Sequence, residues 1–138
     1  MPYLLDTDTA SLAFNGNERV LARIRQAKSQ NIRLSSIAAE ESIRGALSVI
    51  HRCQATAGLP AAHRFFTRLL SFLYEYRIHT YNDEAALVYS SFPAQVKRLG
   101  TQDCRIAASA IAAGWIVVTA NLKDFSQIPG VQFEDWSR

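Results

Sequence analysis

Sulfur is scarce in this chain, with two cysteines and one methionine among 138 residues. Cys53 and Cys104 lie far apart and form no Cys-x-x-Cys pair, so neither a disulfide scaffold nor a thiolate metal centre is expected. Both read as small buried thiols. His51, His63 and His79 lack the spacing of a metal-ligand set. The glycines form no phosphate-cradling loop and no dinucleotide fingerprint. Long apolar runs are missing too. The least polar stretch, IAASAIAAGWIVVTA, is shorter than the roughly 20 residues of a membrane span and carries a Gly that reads as a helix stop. The amino terminus has no basic segment ahead of its short apolar run, which excludes a signal peptide. The expectation is a cytoplasmic protein.

What is present is an ordinary globular composition, 49% hydrophobic and 20% charged, in a length that fits one domain over residues 1–138. Strand-like and helix-like segments alternate. Tyr3–Leu5 reads as a buried strand, followed by a short helix through Leu12 and Phe14 capped by Asp8 or Thr9. A helix from about Glu18 to Lys28 precedes a strand in NIRLSS, and Ser36 is the expected cap of the long helix SIAAEESIRGALSVI. AGLP ends that helix, and an aromatic-rich helix covers 61–76. RIHTY is a short strand, and Asn82 caps a helix with apolar residues at i, i+3, i+4 and i+7. Pro93 must kink or break it, since an interior proline costs about 3 kcal/mol. An Ala-rich helix ends at Gly114, WIVVT is the clearest strand, and VQFED reads as an edge strand. Strands too apolar to face water, alternating with helices, imply an α/β fold with a parallel sheet covered on both faces.

In such sheets ligands bind beyond the carboxyl ends of the strands. Asp6 follows the first strand, and Asn121 and Asp124 follow WIVVT. Asp103 stands in the first turn of the Ala-rich helix, where the helix dipole favours a carboxylate, and Glu40 and Glu41 stand in the first turns of the long helix. Singly, each acid also fits an ordinary role as cap, first-turn acid or turn residue. Jointly, every element that reaches the cleft delivers an acid to it. Two like charges about 4 Å apart repel by about 4 kcal/mol at an effective dielectric of about 20. With no His, Cys or Lys in the set, the natural counter-charge is a hard cation, Mg²⁺ or Mn²⁺. Asp6 is then expected to be a metal ligand rather than a cap. Setting four such acids aside leaves 8 carboxylates against 15 basic groups, a balance that favours a polyanionic partner.

Four segments, YLLDTDTAS, SSIAAEESIRGA, LGTQDCRIAASAIAAG and VVTANLKDFSQIPGVQFEDW, resemble the PIN-domain ribonucleases, and within them the VapC-type toxins of bacterial toxin–antitoxin pairs. The resemblance spans both ends of the chain. It implies a PIN-like three-layer sandwich, a central parallel sheet flanked by helices. It also implies a Mg²⁺-dependent endoribonuclease, with Mn²⁺ as a possible substitute, acting on RNA as a homodimer and held in check by a small cognate antitoxin. Carried over residue by residue, the metal-binding and catalytic acids are Asp6, Glu41, Asp103 and Asp124, with Thr119 and Asn121 in support. Glu41 is chosen over Glu40 because the family's Glu stands four residues before a Gly, here Gly45. The helical wheel argues otherwise, since Glu40 lies nearer the side marked by Ile43, Leu47 and Ile50. The aromatic helix is expected to serve dimer and antitoxin contacts.

Two other readings stay open. LLDTDT also resembles the nucleophile loop of haloacid-dehalogenase-type phosphatases, a chemistry that needs a lysine beside the acids, and Lys97 and Lys123 are the only late ones. A catalytically inactive domain that only binds RNA or protein is the other, and the complete acid set speaks against it.

Overall fold

A computed structural model describes residues 2–138. Five short strands form its centre: β1 (Tyr3–Leu5), β2 (Ile32–Ser35), β3 (Ile78–His79), β4 (Ile116–Val118) and β5 (Gln132–Glu134). They pair in the order β3-β2-β1-β4-β5, every neighbour parallel. Around them run α1 (Thr7–Phe14), α2 (Glu18–Gln26), α3 (Ser36–Arg52), α4 (Leu59–Tyr74), α5 (Asp83–Ser91), α6 (Ala94–Lys97), α7 (Thr101–Ala113) and α8 (Leu122–Phe125).

Strand alternation divides the core into two layers. Leu4 and Val117 point to one face, against Phe92 of the α5–α6 corner and Cys104, Ala107 and Ala108 of α7. Leu5, Leu34 and Val118 point to the other, against Ala10 of α1, Val20 of α2, Ala38 of α3 and Leu69 of α4. The result is the expected three-layer α/β sandwich. No helix among the described residues is long and apolar enough to cross a membrane.

Several local features differ from the sequence reading. α1 starts at Thr7, directly after β1, and its cap is Asp6 instead of Asp8 or Thr9. The turn is this abrupt because Asp6 N–H still donates to Val118 O, at 3.1 Å, as a last rung of the sheet. α2 stops at Gln26, short of Lys28, where Ala27 turns extended. Ser35 caps α3, accepting from Ile37 N at 3.1 Å, while Ser36 Oγ accepts from Tyr81 N at 2.9 Å. α4 begins two residues early, with Pro60 in its first turn, where a missing N–H costs nothing. Pro93 breaks the expected helix outright, ending α5 at Ser91, and becomes the cap of α6. Both thiols are free; Cys104 is buried as expected, but Cys53, at the end of α3, is only half-buried.

Gly114 ends α7 in the left-handed region, with φ at 74°, and a side chain there meets no atom within 4 Å. Backbone strain alone therefore opposes substitution. Gly114→Ala is expected to lower stability by about 1–2 kcal/mol, read as a lower urea midpoint at unchanged slope.

Candidate active site

The carboxyl ends of β1, β2 and β4 lie side by side, and the segments that leave them build the site. Asp6 is the most constrained of its groups, 1% exposed at the end of the central strand. Its Oδ1 accepts from Thr9 N at 2.8 Å, closing the first turn of α1, while Thr9 Oγ1 donates to Val118 O at 2.9 Å. Burial pushes the Asp6 carboxyl up from 3.8 to about 6, against the opposing pull of the Thr119 hydroxyl and the Thr9 N–H. The expectation that Asp6 is a ligand rather than a cap is thus corrected in its second half: Asp6 is a cap. An N-cap uses one carboxylate oxygen and leaves the other available.

Asp103 lies half-buried in the first turn of α7. Burial raises its pKa; the Asn121 amide lowers it, and the charges of Asp8, Glu41 and Asp124 raise it further. Asn121 binds two acids at once, its Nδ2 donating to Asp103 Oδ2 at 3.2 Å and to Asp124 Oδ2 at 3.0 Å. Thr119, fully buried, sets this up by accepting from Asn121 N at 2.9 Å. Asp124 sits on α8, the short helix where a turn was an alternative.

Glu41 faces α1, where it accepts from Thr7 Oγ1. Glu40 faces outward, pairs with Arg44 and accepts from Gln102 Nε2 at 3.2 Å. The wheel misleads because the buried side of α3 is marked by Ile37, Ala38 and Ala46, while Leu47 is 49% exposed.

Asp6, Glu41, Asp103 and Asp124 are therefore gathered, with Thr119 and Asn121, at one edge of the sheet. Three further residues belong to the arrangement and were not among the expected site residues: Thr7, which holds Glu41; Thr9, expected only as a cap, which holds Asp6; and Asp8, also expected only as a cap, whose charge bears on Asp6 and Asp103. The signal was present in the alternation DTDT. A cavity of ≈400 Å³ between Ile24, Arg25, Tyr76 and Arg77 opens at the opposite end of the strands and contains none of these acids.

The donor set is all oxygen and uncompensated. Among the described residues the ion pairs are Arg23–Glu134, Arg44–Glu40 and Arg138–Asp135, and none reaches the four acids. Such donors suit a hard divalent cation. As the side chains stand, no three acids among the described residues converge on one ion; hydrogen bonds to Thr7, Thr9 and Asn121 hold them.

Comparison with known proteins identifies the family and the fold. The profile of the PIN domain matches residues 3–131. The tRNA(fMet)-specific endonuclease VapC of Salmonella typhimurium is 27% identical over 140 residues, covering 99% of this chain and 98% of that protein. The crystal structure of DNA-bound VapBC from Salmonella typhimurium superposes with a TM-score of 0.77 at 26% identity, over 99% of this chain and 98% of the other. VapBC2 of Rickettsia felis, bound to a DNA fragment from its promoter, superposes at 0.78 with 24% identity over 99% of both chains, a likeness of fold.

The raised pKa of Asp6 has a direct consequence for stability. Between 3.8 and about 6 the folded chain holds a proton that the unfolded chain has released, so this group's effect is most favourable below that window. Stability falls as pH rises through it. Asp6→Asn keeps a cap acceptor and removes the buried charge. In EDTA at about pH 8 it should be more stable than the unaltered chain, by on the order of 3 kcal/mol at most, and the advantage should vanish near pH 4. Urea titrations at both pH values measure it; an equal difference at both would show that the charge is not strained.

Proposed function

The chain belongs to the PIN domain family, and from that premise we propose that it is a VapC-type endoribonuclease, the toxin of a toxin–antitoxin pair, that hydrolyses RNA phosphodiester bonds with Mg²⁺, or Mn²⁺ in its place. The observation that supports this most is the gathering of four acids from four separate segments at one sheet edge, with no cationic side chain among them. The relatives' names, a VapC endonuclease and VapBC, point the same way.

In this reading Asp6, Glu41, Asp103 and Asp124 hold the ion. A hard cation held there would compensate their charge and would supply Lewis-acid activation of water and of the leaving oxygen. The chain's own groups do the positioning. Asn121 fixes the paired carboxylates of Asp103 and Asp124, and Thr7 fixes that of Glu41. One carboxylate of the set takes the proton of the attacking water. Asp6, closed off from solvent, anchors the group to the central strand.

The proposed partners are the RNA substrate, a second copy of this chain and a small cognate antitoxin, in the cytoplasm. The outer side of α4 supports protein partners: Leu70 and Tyr74 are 43% and 92% exposed, more apolar surface than a solvated helix needs. The phosphatase reading gains no support, because Lys97 lies against the Tyr89 ring and Lys123 is exposed on α8.

Purified protein is expected to cleave RNA in Mg²⁺ or Mn²⁺ and to stop in EDTA; Glu41→Gln and Asp103→Asn should abolish the cut while folding normally by circular dichroism. Mn²⁺ at about 100 times its Kd should stabilise the unaltered chain by about 2.7 kcal/mol and the two variants by much less. Undiminished cleavage in EDTA would sink the metal-dependent mechanism.

A further inference from the structure

Outside the acids, the site has a second built feature on its rim. Between α3 and α7 runs a cleft of ≈500 Å³ whose walls include Glu40, Glu41, Arg44, Gln102 and Arg105. Glu41 belongs to both, so the cleft opens onto the carboxylates. Side chains of the two helices meet across it in one polar chain. Arg44 pairs with Glu40, Gln102 Nε2 donates to Glu40 Oε1 at 3.2 Å, and Arg105 Nη1 donates to Gln102 Oε1 at 2.9 Å. Arg105 also lies over the Tyr89 ring, 5.5 Å from its centroid, and Lys97 lies 5.1 Å from the same centroid.

Guanidinium groups along a groove are the parts with which proteins track the backbone of a single nucleic-acid strand, and Tyr89, outside the lining of the cleft, serves to hold Arg105. The Glu40 carboxylate, held by one guanidinium and one amide, occupies the kind of seat a phosphate takes, because both anions offer paired oxygens to the Arg fork. That seat is wet: the Arg44 and Glu40 side chains are 69% and 48% exposed, so the pair is held weakly and exchanges for a competing anion. Arg105, half-buried and pinned by Gln102 and Tyr89, keeps its guanidinium in place without any carboxylate partner.

We propose that the α3–α7 cleft carries the RNA strand next to the scissile bond, with Arg105 and Arg44 binding backbone phosphates and Glu40 occupying Arg44 until the strand displaces it. This rests on the ribonuclease reading above and deepens it by giving the substrate a path and a direction of approach. It also gives Glu40 a role opposite to that of its neighbour: Glu41 belongs to the acids that act, Glu40 to the rim that admits.

The test is fluorescence anisotropy with a labelled 12-nucleotide single-stranded RNA, in EDTA so that the strand stays whole, over a series of salt concentrations. Arg105→Ala and Arg44→Ala are each expected to weaken binding about two- to five-fold and to flatten the slope of log affinity against log salt by about 0.7. Glu40→Gln should do the reverse, tightening binding and steepening the slope, because it frees a guanidinium. Glu75→Gln removes the same charge at the other end of the strands and should leave the slope unchanged. Arginine variants that bind like the unaltered chain overturn the cleft assignment, and equal tightening by Glu75→Gln overturns the part given to Glu40. If the unaltered chain neither binds nor cuts RNA, the ribonuclease reading falls, and this proposal with it.

Discussion

A carboxylate buried at the end of the central strand is the constraint around which this molecule is arranged. β1 has β2 on one side and β4 on the other, so the residue after Leu5 has no route to water. An acid in that position is unfavourable unless its oxygens find donors at once. The chain supplies them by turning into α1 without a loop, which brings Thr9 N–H onto Asp6, and by placing Thr119 of the neighbouring segment beside it. The same turn spends the Thr9 hydroxyl on Val118 O, tying the helix to β4 as well as to β1. Cap, sheet edge and carboxylate are one structure, and what remains is the desolvation cost that holds the group near 6.

Everything else at the site follows from parallel topology. When all strands run one way, each helix that follows a strand begins at the same edge, with its positive dipole end turned toward it. α1 and α3 start there directly after β1 and β2, and α8 starts just beyond β4. α7 brings its first turn to the same place from the other face of the sheet, with Asp103 within hydrogen-bonding reach of Asn121. Asp6 as a cap and Asp103 and Asp124 in first turns are locally favourable, while Glu41 lies beyond the first turn of α3. Only their sum is unfavourable, and no local stability requirement accounts for that sum.

How much of this is legible in the sequence depends on how local the determinant is. WIVVT, the Asn82 cap, the stop at Gly114 and the effect of Pro93 need only their own neighbours, and the structure has each of them. The start of α1 is different. Asp6 caps it because Val118, 112 residues later, accepts its N–H, and no local pattern announces that bond. Likewise Ser36 looks as good a cap as Ser35 until Tyr81 claims its hydroxyl. The two helix glutamates show the limit most clearly. A wheel drawn on large apolar side chains turns α3 toward Leu47, but α3 lies close against its neighbours, and close approach selects alanine. Small residues carry the burial while a large one stays outside, so hydrophobic size inverts the answer.

Asn121 shows why the site holds its shape without a cation. Two carboxylates sharing one region need a donor between them, and a lysine there would offset one of the two charges. An amide holds both oxygens at ordinary hydrogen-bond distances and carries no charge. It fixes positions without supplying a counter-charge, and Asp103 remains raised, chiefly by burial and further by its neighbours' charge, despite the hydrogen bond it accepts. Thr7 does the same for Glu41 with a hydroxyl. Every group that orients an acid here is neutral, and the charged side chains nearby, Arg44 and Arg105, are engaged with Glu40 and Gln102 on the rim. Geometry therefore comes from amides and hydroxyls, and no ion pair among the described residues compensates the charge of these acids.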